Sequence, residues 1–204
     1  MKILVINGDC LQTNSSANLC HIAYIRGLLS AGYEVTLISA DGRDYTLDPA
    51  MVIPSEVVQY KYYGVSLYER LSLRKSAAQA AAPIPGPSGQ TGAEGGVRKL
   101  IRQIKRGVLS LYGVHGIYAP FVRSAQKFKS SETYDYLLSL STPPSSHLLA
   151  RKLLHSGRVR AKHWIQIWED PWYSDAYGFN GKDKIYKEEK RLLSFAEAVC
   201  YVSP

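Results

Sequence analysis

This chain has few cysteines, no long apolar run and none of the short signatures of the commoner enzyme chemistries. No stretch approaches the roughly 20 apolar residues that a membrane-spanning helix needs. The opening MKILVINGDC has a short apolar run that breaks at Asn7-Gly8-Asp9, so it reads as a first strand and not as a signal peptide. Cys10, Cys20 and Cys200 are odd in number and lack metal-ligand spacing, which predicts reduced thiols in a cytosolic protein and no disulfide framework. The motifs G-x-S-x-G and H-E-x-x-H are both missing, which removes the usual hydrolase readings. G-x-G-x-x-G is missing too, and with it the dinucleotide fingerprint. No helix-turn-helix, RNA-recognition or zinc-finger pattern occurs, and the 15 tyrosines are scattered, so no nucleic-acid partner is expected. Acid is scarce as well. Against 25 Lys and Arg stand 17 Asp and Glu, a net charge of +8 that favours an anionic ligand or membrane face without choosing between them.

What is present is an ordinary composition for a folded protein, 46% hydrophobic and 21% charged, in 204 residues, enough for one full α/β domain or at most two small ones. The most informative stretch is WIQIWEDPW, Trp164 to Trp172. Its short alternating run predicts a buried strand, and Pro171 stops it because proline has no N–H for a ladder. Glu169, Asp170 and Trp172 therefore stand at the carboxyl end of a strand, the edge where open α/β sheets bind ligands. A capped strand end with a packed tryptophan explains the same residues.

Strand and helix signals alternate along the rest. Ile3 to Ile6 reads as strand, and Ser15 or Ser16 caps a helix whose apolar positions are Leu19, Ile22, Ala23, Ile25, Leu28 and Leu29. Gly32 ends it, and Val35 to Ser39 and Val57 to Tyr63 read as strands. Residues Ser76 to Gly96 are small, Pro/Gly-rich and almost uncharged, and are expected to form a flexible excursion or a lid. Val97 to Val108 predicts an amphipathic helix with Arg98, Lys99, Arg102, Lys105 and Arg106 around an apolar face. Such a helix suits either an anionic membrane surface or a solvated face of the domain. Helix is then expected from Ile117 to Ser130, interrupted or started at Pro120. Strand Tyr134 to Ser141, a turn at Thr142-Pro143-Pro144 and a helix from Ser145 or Ser146 to His155 follow. Strand His163 to Trp168, a charged helix from Asp183 to Ala196 and a last strand from Ala198 to Val202 complete the pattern. The expected fold is α/β, a Rossmann-like doubly wound parallel sheet of about six or seven strands in a single domain.

In that fold the loops Asn7 to Ser16, Ser141 to Ser146 and Trp168 to Asp175 converge on one crevice. Two of them lead into helix N-termini, which favour anionic or hydroxyl-rich ligands. Gly8 stands where a backbone must pass close. His21 and His147 lie early on helices that could face the crevice, and a packing role would explain either equally well. Asp41, before Gly42, reads as a turn former.

The order of these pieces resembles the N-terminal domain of GT-B fold glycosyltransferases, especially the retaining family 4 type. The resemblance rests on the MKILVINGD opening, GYEVTLIS at Gly32 to Ser39, and the Tyr134-Asp135 strand running to Ser141-Thr142-Pro143. It continues through Glu169-Asp170-Pro171-Trp172, where Glu replaces the family's Arg, and through Glu188 to Ser203, with Glu197 in the usual Asp place. The resemblance implies that residues 1–204 are the acceptor-side half of an enzyme, inactive alone and missing its C-terminal domain. That domain would bind the nucleotide-sugar donor, and no cofactor or metal is expected in this chain. The resemblance also implies a cytoplasmic protein, peripheral on the inner membrane face, that acts on a glycan or lipid-linked acceptor in cell-surface polysaccharide synthesis. Gly8, Asp9, Ser15, Ser16, His21, Thr142, Pro143, Asp170 and Trp172 would then touch the acceptor, Trp172 as a sugar platform or as a brace for its loop. None is assigned as catalytic. Glu189 and Glu197 stand at E-x7-E spacing but are expected on a solvated helix face, not in a donor site. A stand-alone binding module for an anionic ligand, or a scaffold that has lost catalysis, is the competing class.

Overall fold

The computed structural model describes residues 1–66, 70, 116–173 and 182–201. The excursion at 76–96, the basic segment at 97–108 with Arg98, Lys99, Arg102, Lys105 and Arg106, His115 and the ends of several expected elements lie outside the described residues.

Four apolar residues in succession, Ile3 to Ile6, leave β1 (Lys2–Asn7) with no solvated face, which suits only the centre of a parallel sheet covered on both sides. That is where it lies. The sheet comprises β1, β2 (Glu34–Ala40), β3 (Val58–Tyr62), β4 (Thr133–Ser141), β5 (Arg160–Trp168) and β6 (Ala198–Tyr201). All five pairings are parallel, in the order β3-β2-β1-β4-β5-β6. The chain builds outward from β1 in one direction, then returns to build from β4 in the other. This makes the β1/β4 junction a topological switch point, and Asn7 lies in register with Leu140 across it.

Helices cover both faces. On one, α1 (Ser16–Ser30) sets Ile22 and Ile25 against Ile3, Val5, Val35 and Leu37. On the other, α2 (Ala119–Ala125), α3 (Ser145–His155) and α4 (Lys182–Leu193) bring Phe121, Leu149, Leu153 and Leu192 onto Leu4, Ile6, Leu137, Trp164 and Trp168. The fold is a Rossmann-like, doubly wound α/β domain, as the alternation of strand and helix signals predicts. Among the described residues no helix is long and apolar enough to cross a membrane.

The expected helix stops are also observed. Gly32 takes φ +80 after α1, with its N–H on Leu29 O and the Tyr33 N–H on Leu28 O. Gly157 takes φ +65 after α3 with the matching pair, Gly157 N–H on Leu154 O and Arg158 N–H on Leu153 O. Both are glycine-terminated caps that satisfy the last carbonyls of their helices.

Three expectations need correction. The helix expected over Ile117 to Ser130 is only the short α2, entered by a 3-10 turn at Gly116–Tyr118, because Phe128 turns back into the core instead of continuing the helix. The buried stripe of α1 is not the apolar one. Leu19 is 55% exposed and Ala23 is exposed, while Asn18 and His21 are buried with Ile22 and Ile25. Glu189 is not on a solvated face: it is 7% exposed, and Glu197 lies beyond the end of α4, exposed and bonded to His163 Nδ1 at 2.7 Å.

Candidate functional site

The first loop is held by its own side chains. Asp9 Oδ1 accepts from the Cys10 N–H at 2.7 Å, and Asn7 Nδ2 donates to Asp9 O at 3.1 Å. Ser15 caps α1 by accepting from Asn18 N at 3.1 Å. The buried Asn18 reaches back with Nδ2 to Cys10 O (3.1 Å), Thr13 O (3.1 Å) and Thr13 Oγ1 (2.8 Å). A leucine or alanine there could tie down none of these carbonyls, which is why the polar residue is the buried one.

Across the switch point, the Gly8 N–H donates to Ser146 Oγ at 2.8 Å. A Cβ at Gly8 would come within 1.9 Å of Ser145 Oγ, so the close approach expected of this glycine is real, and α3 is the element it approaches. The turn into α3 contains cis peptides at Ser141-Thr142 and Thr142-Pro143. Ser145 and Ser146 do not cap α3 with their hydroxyls, since its N-cap is Pro144 without a side-chain bond. Their hydroxyls stand at the crevice.

Beneath the turn, a relay runs from β5 to α3. Trp164 Nε1 donates to Ser139 Oγ at 2.9 Å, and Ser139 Oγ lies 2.7 Å from His147 Nδ1. An indole can only donate, so Ser139 Oγ accepts from it and uses its remaining lone pair or its own hydrogen toward His147 Nδ1. Burial, and secondarily the charge of His21, pushes His147 down to about 3, so its ring is neutral at physiological pH. Its ring stacks on Trp168 with centroids 4.2 Å apart.

His21, fully buried, brings Nε2 within 3.3 Å of Glu169 Oε1, close enough for an ion pair but not aligned as a hydrogen bond. Burial raises Asp9 above the usual carboxylate range, and its bonds to the Cys10 N–H and to Asn18 partly offset this. The loop after β5 is clasped from below. Glu189 accepts from Tyr173 N at 2.5 Å and from the Trp172 backbone N–H, and burial holds its carboxyl above the ordinary value. Trp172 is 6% exposed and packs within the core, under the loop that it was expected either to brace or to open to a sugar.

The remaining predicted residues form the outer layer. Gly8, Asp9, Ser15, Thr142 and Pro143 are half-buried and Ser16 and Asp170 exposed, with Thr142 Oγ1 at 3.5 Å from Asp170 Oδ2. Asp41 is the turn former expected: it accepts from Arg43 N at 3.3 Å and pairs with the Arg43 guanidinium at 2.5 Å.

Asn7, Ser145 and Glu169 fall within the three loops expected to converge, though they were not named as ligand-binding residues, and Asn18 was missed altogether. Among the described residues, the buried side-chain atoms without a hydrogen-bond partner are Asn7 Oδ1, Asn18 Oδ1, both His21 nitrogens, Ser145 Oγ, His147 Nε2 and Glu169 Oε1. Every one lies at the carboxyl edge of β1, β4 or β5 or in the first turns of the helices that follow. Buried polar atoms are normally paired, so their concentration here marks a site. The only advance signal was polarity on a helix face, Asn18 and His21 at a three-residue spacing. A separate open cavity of about 370 Å³ lies beyond β3, lined in part by Gln12, Met51 and Lys61. Lys61 there is already bonded to Gln12 at 3.0 Å, and no unpaired buried atom among the described residues faces it. Among the described residues no group of three or more His, Cys, Asp or Glu is placed to hold a metal ion. No protein-family model matches the chain, and no curated protein matches it.

Proposed function

We propose that this chain is the acceptor-binding half of a retaining GT-B glycosyltransferase, which moves a sugar from a nucleotide-sugar to a glycan or lipid-linked acceptor in cell-surface polysaccharide synthesis. The donor nucleotide belongs on a second domain outside these residues. One observation carries the reading: unpaired buried polar side chains from α1, α3 and the loop after β5 gather at the β1/β4 switch point. That edge is where this architecture places ligands, and a hydroxylated acceptor is chemistry such a cluster can hold. The order of sequence motifs supplies the rest of the support.

On this reading the acceptor lies over Gly8, Asp9, Thr142 and Pro143, with its reacting hydroxyl toward His21 and Asp170 completing the outer layer. The acceptor oxygen forms its bond to the anomeric carbon as the diphosphate leaves with the electrons of the broken C–O bond and takes up the hydroxyl proton. The charge on that leaving group is met by the donor domain, so the residues of this chain position the acceptor. The basic segment at 97–108 docks the protein on an anionic membrane that presents the acceptor.

The test is calorimetry of this chain against UDP-, GDP- and TDP-sugars, together with flotation on vesicles of anionic and of neutral lipid. The expected result is no nucleotide-sugar binding and retention on anionic vesicles alone, reversed by high salt. Micromolar binding of any nucleotide-sugar would place the donor pocket in this chain and overturn the half-enzyme assignment.

A further inference from the structure

We infer that the crevice seats an uncharged or amino-bearing sugar ring through the ring's own hydrogen-bond donors, and that it excludes phosphorylated and carboxylated rings. The inference rests on the acceptor-binding reading and names the substrate class for the same site.

Two sets of atoms carry it. The first comprises backbone donors at this edge that the protein itself engages. At the switch point the Gly8 N–H is engaged by Ser146 Oγ at 2.8 Å, and the Cys10 N–H by Asp9 Oδ1 at 2.7 Å. The Asn18 N–H at the start of α1 is engaged by Ser15 Oγ at 3.1 Å, and at the start of α3 the Ser146 and His147 N–H groups lie on Pro143 O and Pro144 O. The space over Gly8, which a phosphate would use for its close approach, is filled by Ser145 Oγ. A helix start binds anions through free N–H groups, and at this edge the protein has engaged these donors itself.

The second set comprises the unpaired atoms. The Asn7 amide is oriented by its bond to Asp9 O, and the Asn18 amide by its bonds to Cys10 O and Thr13 O. A backbone carbonyl can only accept, so in both residues Nδ2 faces it and Oδ1 is the atom left over. Glu169 Oε1 is a third acceptor without a hydrogen-bond donor, its neighbour His21 Nε2 lying 3.3 Å away and out of line. Against them, Ser145 Oγ and the His21 and His147 rings can each give or take. Acceptors dominate. A phosphate or carboxylate would leave these acceptors unmet and would face the charges of Glu169, Asp9 and Asp170. A hydroxyl meets both kinds of partner, and an ammonium adds attraction to the carboxylates. The net charge of +8 therefore does not describe this edge of the molecule.

The test uses matched pairs: methyl glycosides of glucose, galactose, mannose and N-acetylglucosamine, each beside its 6-phosphate or its uronic acid, with methyl glucosaminide as the amino arm. Saturation-transfer NMR and calorimetry would read their affinities for this chain. The uncharged member is expected to bind at least tenfold tighter in every pair that binds, with the amino sugar no weaker than its neutral parent. Glu169→Gln should shrink that ratio severalfold. Ser146→Ala, which frees the Gly8 N–H, should strengthen the anionic member alone. A tighter anionic member in the wild-type chain would overturn this inference while leaving the acceptor-binding reading intact. Failure of every sugar to bind would overturn both.

Discussion

At the amino end of the sheet, Lys2 Nζ pairs with Glu132 at 2.9 Å, Lys162 Nζ with Asp135 at 2.6 Å, and Arg160 donates to Ser131 O at 2.7 Å. These groups are polar, paired and largely exposed. At the carboxyl end, Asn7, Asn18, His21, Ser145 and His147 are fully buried, and each keeps a polar atom with no partner. The same strands run through both ends, so strand chemistry does not explain the difference. The amino end shows how this sheet treats polar groups that only have to stay soluble, and such exposed pairs are worth little. The carboxyl end keeps buried polar atoms unpaired at a real cost in stability, which is the behaviour of a surface shaped for something outside itself.

Acid should separate the two ends most. His147 is held down to about 3 in the folded protein against an ordinary value of 6.5, so as pH falls through 6.5 the unfolded chain takes up a proton that the native state refuses. Stability should therefore drop between pH 6.5 and pH 4, by on the order of 3 kcal/mol at 1.36 kcal/mol per unit. Asp135, held below its usual 3.8 mainly by its hydrogen bond to Lys162, loses its contribution only at more acid pH, as the carboxylate protonates. Urea melts at stepped pH would show an acid limb starting near 6.5 that His147→Gln flattens. A limb that starts only below pH 4 would mean that the carboxyl end is not the sensitive one.

Cutting the relay comes next. Ser139→Ala leaves Trp164 Nε1 and His147 Nδ1 without their partner and is expected to cost about 2 kcal/mol in a urea melt. Gly8→Ala should cost about 1.5 kcal/mol by crowding Ser145, and Ser145→Ala in the same chain should recover much of that loss. A cycle in which the two changes simply add would show that Gly8 and Ser145 do not meet. Smallest of all, Asp135→Asn at the amino end should leave the melting midpoint at neutral pH within the scatter of repeated measurements. A clear destabilisation there would erase the contrast between the two ends.

Much of the fold was legible because its signals are local. The fully apolar β1, the alternating Trp164 to Trp168 run and the glycines at 32 and 157 each state their structure within a few residues of chain. The candidate site was legible only as loops at one edge. Leu19 was expected inside and Asn18 was passed over because helical periodicity ranks side chains by hydrophobicity, whereas the loop carbonyls of Cys10 and Thr13 needed an amide. Glu189 was expected on a solvated face because no Gly-rich donor loop surrounds it in sequence, and two backbone N–H groups of the loop after β5 hold it inside. The burial of Trp172 in the core was not legible either, because it depends on packing against residues far away in the chain.

The sequence by itself determined that alternating strands and helices make a doubly wound parallel sheet, because periodicity, caps and breakers act between near neighbours in the chain. Only the tertiary structure decided that His21 meets Glu169, that Ser146 takes the Gly8 N–H, and that a row of buried acceptors is left unpaired at the switch point. Those meetings join α1, α3 and the end of β5, far apart in sequence. A buried polar atom's environment is set by whatever the sheet order carries to its side, which no local pattern records.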